Sequence, residues 1–216
     1  MTELILKGIA AYLLGSIVGS LLIARLTGGV DIRSLGSGNA GATNALRTLG
    51  KGVAFWVLVI DVVKGWIATR LLAPALLPAV EPAPDLQAWS VAVCGMAVIL
   101  GHVYPVWFGF RGGKGFATLV GVVLGIHPWL LIPMALTWFA TVILFGYVGL
   151  ASILSALAVA VAIAVCKGLH VRPLLTFGVL SALLIIYTHR TNIARMRAGT
   201  EARARRLWLF GMRRGS

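Results

Sequence analysis

The chain has 216 residues, of which 59% are hydrophobic and only 12% charged. Soluble domains carry about twice that charged fraction, and a fold this small has too much surface to hold so apolar a composition in water. A water-soluble domain is therefore excluded for most of the chain, and its solvent is lipid.

The net charge of +13 comes from 19 Lys and Arg against 6 Asp and Glu, and eight of the bases lie after Thr188, among them Arg203, Arg205, Arg206, Arg213 and Arg214. A basic tail can attract a nucleic-acid backbone. A membrane protein, however, already needs cytoplasmic positive charge to set its orientation, and anionic head groups attract the remainder. The tail is therefore expected to bind anionic lipid and no nucleic acid, and its removal after residue 200 to leave turnover intact.

Seven apolar segments are expected to be helices, at about 3–25, 53–77, 88–108, 116–126, 129–146, 150–166 and 173–187. A straight span needs about 20 residues; the first three qualify on length, and the later ones are shorter. Segment 1 is not a signal peptide, because Glu3 offsets Lys7 and no small-x-small cleavage site follows. Only Pro128, after His127, separates the fourth segment from the fifth, so a six-span reading would merge them. Loop charge favours seven. Segments 27–51 and 109–115 and the tail are basic, whereas 78–87 (PAVEPAPDLQ) has two acids and no base. The positive-inside rule then puts the N-terminus outside and the C-terminus in the cytoplasm, with Lys167 and Arg172 as a minority against it. The fold class is an all-α, seven-helix integral membrane domain over 1–195, followed by an Arg-rich cytoplasmic tail, 196–216. Cys94 and Cys166 sit in apolar runs and read as small buried hydrophobes.

After the first segment comes Gly36-Ser37-Gly38-Asn39-Ala40-Gly41-Ala42-Thr43-Asn44-Ala45-Leu46-Arg47. Glycine lets backbone N–H groups approach an anion, Ser, Asn and Thr supply short donors, and Arg47 supplies a planar fork suited to phosphate. A helix beginning near residue 40 would add partial positive charge. A plain connecting loop is the alternative. Within the second segment, Asp61 and Lys64 lie one turn apart and read as a structural ion pair rather than catalysts.

Gly109-Phe110-Arg111-Gly112-Gly113-Lys114-Gly115 reads as a phosphate cradle, a nest of N–H groups beside a lysine. It is not a P-loop, since Phe108 and Gly115 stand where that motif needs Gly and Ser or Thr. His102, just before it, could be a site residue or structural. Ser152 and Ser155, after Tyr147, could pack helices or reach a site. At the end of the last segment, His189 and Asn192 share one helix face, and His189 could act as base or phosphate ligand. These polar segments fall on one expected face of the membrane, which points to a phosphate-bearing substrate and an enzyme. A transporter for a phosphorylated metabolite is the alternative, weakened by the lack of repeat symmetry and of polar residues on the other face.

GSGNAGATNALR, GHVYPVWFGFRGGKGFAT and THRTNI, in that order, resemble the PlsY-type glycerol-3-phosphate acyltransferases of bacteria, over nearly the whole chain to about Ile193. The segment Tyr147 to Ser155 matches more loosely, with Gly149 where the family often has Ser. The resemblance implies seven transmembrane helices in the bacterial inner membrane and an active site facing the cytoplasm. It implies acyl transfer from acyl-phosphate to the 1-hydroxyl of glycerol 3-phosphate, giving lysophosphatidic acid and inorganic phosphate. Neither acyl-CoA nor acyl carrier protein is the donor, and no cofactor or metal is called for. None of the four His, at 102, 127, 170 and 189, has the Asp five positions on that thioester-dependent acyltransferases carry. On the family pattern Ser37, Asn39, Thr43, Asn44 and Arg47 bind anionic groups. Gly112, Gly113 and Lys114 cradle a phosphate, and Ser152, His189 and Asn192 complete the site. Ser37, Arg47, Lys114 and His189 are the catalytic candidates. The hydroxyl proton goes either to His189 or to a substrate phosphate oxygen, with the second preferred. A covalent acyl-Ser37 lacks a nearby base or acid in the sequence.

Overall fold

The computed structural model describes residues 1–75, 84–166, 171–204 and 207–209, with only the backbone of 84–88. The acidic connection 78–87 thus falls largely outside the described residues, as do Lys167, His170, Arg205, Arg206, Arg213 and Arg214.

Every described element is helical: α1 (Thr2–Gly15), α2 (Gly19–Thr27), α3 (Ala42–Thr48), α4 (Lys51–Ile67), α5 (Pro84–Val103), α6 (Phe116–Ile126), α7 (Leu131–Phe145), α8 (Val148–Val165), α9 (Arg172–Thr188) and α10 (Arg190–Arg197). A helix satisfies its own backbone, which apolar surroundings demand. Among the described residues four helices are long and apolar enough to cross a membrane, or six if each bent pair, α1–α2 and α9–α10, is one span; both bends are 53°. The described parts of the seven apolar segments are mainly helical, the first as the bent pair α1–α2, and α6 stays separate from α7. At 11 residues, however, α6 rises only about 16 Å, roughly half the hydrocarbon thickness. Large apolar side chains face outward, with Phe139, Leu144 and Leu183 each more than half exposed, as suits a lipid solvent.

The chain forms two compact units, Met1–Pro128 and Trp129–Ser216. In the first, α1 packs on α5 and α4 on α6. Small residues let the backbones touch: a Cβ at Gly121 would meet the Val62 carbonyl, and one at Gly65 the Thr118 carbonyl. In the second unit Gly146 and Tyr147 alone join α7 to α8, Gly146 taking φ +78°. Of the two cysteines, Cys94 is fully buried, but Cys166 is half-exposed at the end of α8, outside the core expected for it.

The first unit is pinned by the ammonium of Lys64. It donates to Asp61 Oδ1 at 2.9 Å, to the Ile17 carbonyl at 2.7 Å and to His102 Nδ1 at 2.9 Å. These three partners match its three protons. Asp61 Oδ1 also accepts the Gly19 N–H at 3.2 Å. The expected structural ion pair is thus present, fully buried, with the His102 ring packed against it as an acceptor for Lys64.

Removing one member of a buried pair leaves an uncompensated charge. Lys64→Met is expected to destabilise the protein by about 3–5 kcal/mol, read as a lowered melting temperature in detergent. The double variant Asp61→Asn/Lys64→Met should recover much of that loss. Equal damage in both would rule out the ion pair as the cause.

Candidate functional site

The first glycine-rich segment folds around Asn44. This side chain is buried; its Nδ2 donates to the carbonyls of Leu35 and Asn39, both at 3.0 Å, and lies 3.3 Å from that of Ile32. Its Oδ1 accepts the Ser37 N–H at 3.0 Å. Gly36 has φ +55°, and a Cβ there would meet Asn44 Oδ1, so glycine is required twice over. Asn44, expected to touch substrate, is instead the internal frame of the loop, because its amide faces inward onto four backbone groups. Ser20 adds an anchor from α2, donating to the Ala40 carbonyl at 2.8 Å.

A helix does begin in this segment, α3, with Gly41 as its N-cap. Buried Asn44 and Ala45 form its inner face. Thr43 and Arg47, four apart, form an exposed outer face. Ser37 is exposed and Asn39 half-buried beside it. These four residues give the segment an outward polar surface of hydroxyls, an amide and a guanidinium, a donor set suited to phosphate.

The second glycine-rich segment differs from the expected nest. The N–H of Gly112 donates to the Val103 carbonyl at 3.0 Å and that of Gly113 to the His102 carbonyl at 3.1 Å. They satisfy carbonyls left open at the C-terminus of α5, so these two N–H groups do not face an anion. A Cβ at Gly112 would strike the His102 carbonyl, and one at Gly113 the His102 ring at Nε2. Both positions need glycine for close approach to His102. Since a charged Lys64 donates to His102 Nδ1, the ring hydrogen sits on Nε2, the nitrogen against Gly113. Lys114 follows, half-buried, and Gly115 at φ +88° opens α6.

Arg33 joins the two segments, a role its sequence gave no reason to expect beyond its charge. Its Nη1 donates to the carbonyls of Phe108 at 2.8 Å and Arg111 at 2.9 Å, while Nε and Nη2 grip the Asp31 carboxylate. The hydrogen bonds from Arg33 hold the Asp31 carboxyl below its ordinary range. The Asp-x-Arg spacing at 31–33 signals only the local pair with Asp31, not the contacts to Phe108 and Arg111.

In the second unit His189 is buried at the bend between α9 and α10. Its Nδ1 lies 2.8 Å from the Ile185 carbonyl. A carbonyl can only accept, so Nδ1 carries the hydrogen and Nε2 is the basic nitrogen of the neutral ring. Asn192, on the first turn of α10, is also buried, against Gly149 at the start of α8. Its Nδ2 donates to Glu201 at 2.6 Å. Ser152 is buried in α8 and its hydroxyl donates to the Val148 carbonyl at 3.0 Å, the helix-packing alternative. Ser155 is buried with no hydrogen-bond partner for its hydroxyl among the described residues.

A family model described as glycerol-3-phosphate acyltransferase matches residues 5–199. A glycerol-3-phosphate acyltransferase of Geotalea daltonii is 44% identical, over 93% of this chain and 97% of its own length. One of Mesorhizobium japonicum is 40% identical, over 93% and 95%. Among solved structures, the crystal structure of PlsY, an integral membrane glycerol 3-phosphate acyltransferase, in its glycerol 3-phosphate form is 37% identical with a TM-score of 0.80, over 93% of this chain and 94% of that one. Its lysophosphatidic acid form is 36% identical with a TM-score of 0.78, over the same shares. With a match this long in sequence and in fold, the chain belongs to the glycerol-3-phosphate acyltransferase family of multi-pass integral membrane enzymes.

Proposed function

We propose that the chain transfers a fatty acyl group from acyl-phosphate to the 1-hydroxyl of glycerol 3-phosphate, giving lysophosphatidic acid and inorganic phosphate. The observation that carries this reading is the likeness, over 93% of the chain, to a protein solved both with the acceptor and with the product. Acyl-phosphate is a mixed anhydride and already activated. The protein must then hold two phosphates close, neutralise them and stabilise the oxyanion, so positioning does most of the work. Membrane placement gives an apolar donor sideways access. In this reading the domain spans 1–195, with seven membrane segments, an external N-terminus and a cytoplasmic site and tail, in the bacterial inner membrane. Neither acyl-CoA nor acyl carrier protein takes part.

Ser37, Asn39, Thr43 and Arg47 meet the anionic groups from the outer face of the first glycine-rich segment, and Lys114 does so from the second. Asn44, Gly112 and Gly113 act one step back, by shaping those segments. In the second unit His189, at the bend before α10, and Asn192, on α10, take part in the reaction, and Ser152 on α8 is the further substrate-binding candidate. The fixed Nδ1–H of His189 supports Nε2 as acceptor of the hydroxyl proton. A phosphate oxygen of the substrate is the other acceptor.

Purified protein in lipid, given palmitoyl-phosphate, should release phosphate only with glycerol 3-phosphate present, and should form lysophosphatidic acid. Lys114→Ala is expected to lower that rate by about 100-fold or more. No release from folded protein would favour transport over catalysis, and product formed from palmitoyl-CoA would overturn the choice of donor. His189→Asn separates the two proton acceptors. If Nε2 is the base, kcat falls by about 100-fold or more and the acid limb of the pH–rate profile disappears. A loss under about tenfold with that limb retained assigns the proton to the substrate phosphate.

A further inference from the structure

Residues 200–209 run beyond the end of the family match, yet their described part is tied closely to the second unit. Gly199, at φ +71°, turns the chain back after α10. The Ala204 N–H donates to the Gly146 carbonyl at 2.8 Å and the Leu209 N–H to the Ile143 carbonyl at 2.9 Å, satisfying groups left open at the C-terminus of α7. The Arg203 guanidinium lies over the rings of Trp208, at 4.1 Å, and Tyr147, at 4.8 Å. A Cβ at Gly146 would sit 3.0 Å from the Trp208 ring.

Glu201 is fixed within this strap, its side chain only 6% exposed. Oε1 accepts from Asn192 Nδ2 at 2.6 Å and Oε2 from Arg195 Nε at 2.6 Å. One carboxylate thus bridges two side chains on one face of α10, and Arg195 neutralises its charge. A carboxylate can only accept, so this contact decides which end of the Asn192 amide is which. An acceptor held at this reach meets only the Nδ2 end, so the amide has one favoured orientation. Without Arg195, the same carboxylate would repel an incoming phosphate.

We infer that Glu201 is a positioning residue for Asn192: the strap after α10 locks the amide in one orientation and keeps the locking charge paired by Arg195. This rests on the reading of Asn192 as a substrate-binding residue. It also reverses the expectation that residues beyond 200 are dispensable for turnover. Those residues combine two jobs, a held carboxylate at 201 and a basic extension after it.

The test uses the full chain in lipid, measuring KM for glycerol 3-phosphate, kcat and melting temperature. Glu201→Ala should raise KM about tenfold, as expected for loss of a charge-assisted contact, with kcat changed less. Glu201→Gln keeps the length and a carbonyl acceptor for Asn192, and should stay within about threefold of the unaltered protein. Glu201→Asp keeps the charge but lacks the reach, and should be worse than Glu201→Gln. Those two variants carry the test if Glu201→Ala does not fold. Asn192→Ala/Glu201→Ala should be no worse than Asn192→Ala alone. A strong defect in Asn192→Ala beside normal kinetics in Glu201→Ala, additive losses in the double variant, or Asp better than Gln, would overturn the inference alone. Normal kinetics in Asn192→Ala would overturn both the inference and the place of Asn192 in the site.

Discussion

A charge buried among apolar helices has to be fully paired, and in the first unit that constraint falls on Lys64. Its three protons reach the Ile17 carbonyl at the bend between α1 and α2, the Asp61 carboxylate one turn back, and the His102 ring at the end of α5. Each contact fixes a different element. The Ile17 contact holds the bend from which α2 leads to the first glycine-rich segment. The His102 contact sets the ring against which Gly113 packs, and so the path of the second. Both segments that carry the anion-binding candidates therefore hang on a single ammonium group. Breaking a buried pair costs far more than the pair contributes net, which makes such a device better at specifying one arrangement than at adding stability.

The same division recurs among the polar residues of the candidate site. Asn44 and Arg33 direct their donors onto backbone carbonyls and, for Arg33, onto the Asp31 carboxylate, while His102 accepts from buried Lys64. Ser37, Thr43 and Arg47 stay exposed. The first set shapes and the second meets the surroundings. Arg33 shows the logic: one guanidinium closes on Asp31 within its own segment and on Phe108 and Arg111 in the other. A rigid fork with five donors can do this, and a lysine could not.

The helices were legible because apolar periodicity and length leave few alternatives inside lipid, and His127-Pro128 did mark the boundary between α6 and α7. The polar segments were legible as places but not as orientations. Composition shows that Gly112 and Gly113 let something come close; it does not say whether an anion or the His102 ring, and the structure assigns the ring. Likewise Asn44 and Asn39 are equal as letters, while one turn of α3 puts the first inside. The length of α6 was in plain view, but its shortness acquires meaning only beside α4, where Gly121 and, from the α4 side, Gly65 replace side-chain thickness with backbone contact. Glu201 was hidden for another reason. It lies amid arginines in a segment read by its net charge, and a lone acid there carries no pattern of its own.

For the proposed chemistry this arrangement has a consequence. An activated acyl donor leaves the protein little bond-breaking to assist, so the rate depends on how well charged groups are held before substrate arrives. Holding them requires supports that do not themselves compete for phosphate. Backbone carbonyls meet that need. They accept hydrogen bonds, carry no net charge, and are the partners found for Asn44, for Arg33 Nη1 and for the His189 ring. Where a full carboxylate is used instead, at Asp31, Asp61 and Glu201, a cation is bound to it directly, Arg33, Lys64 and Arg195 in turn. Among the described residues the carboxylates are thus held in neutralised form, which suits the proposed handling of phosphate groups beside a membrane.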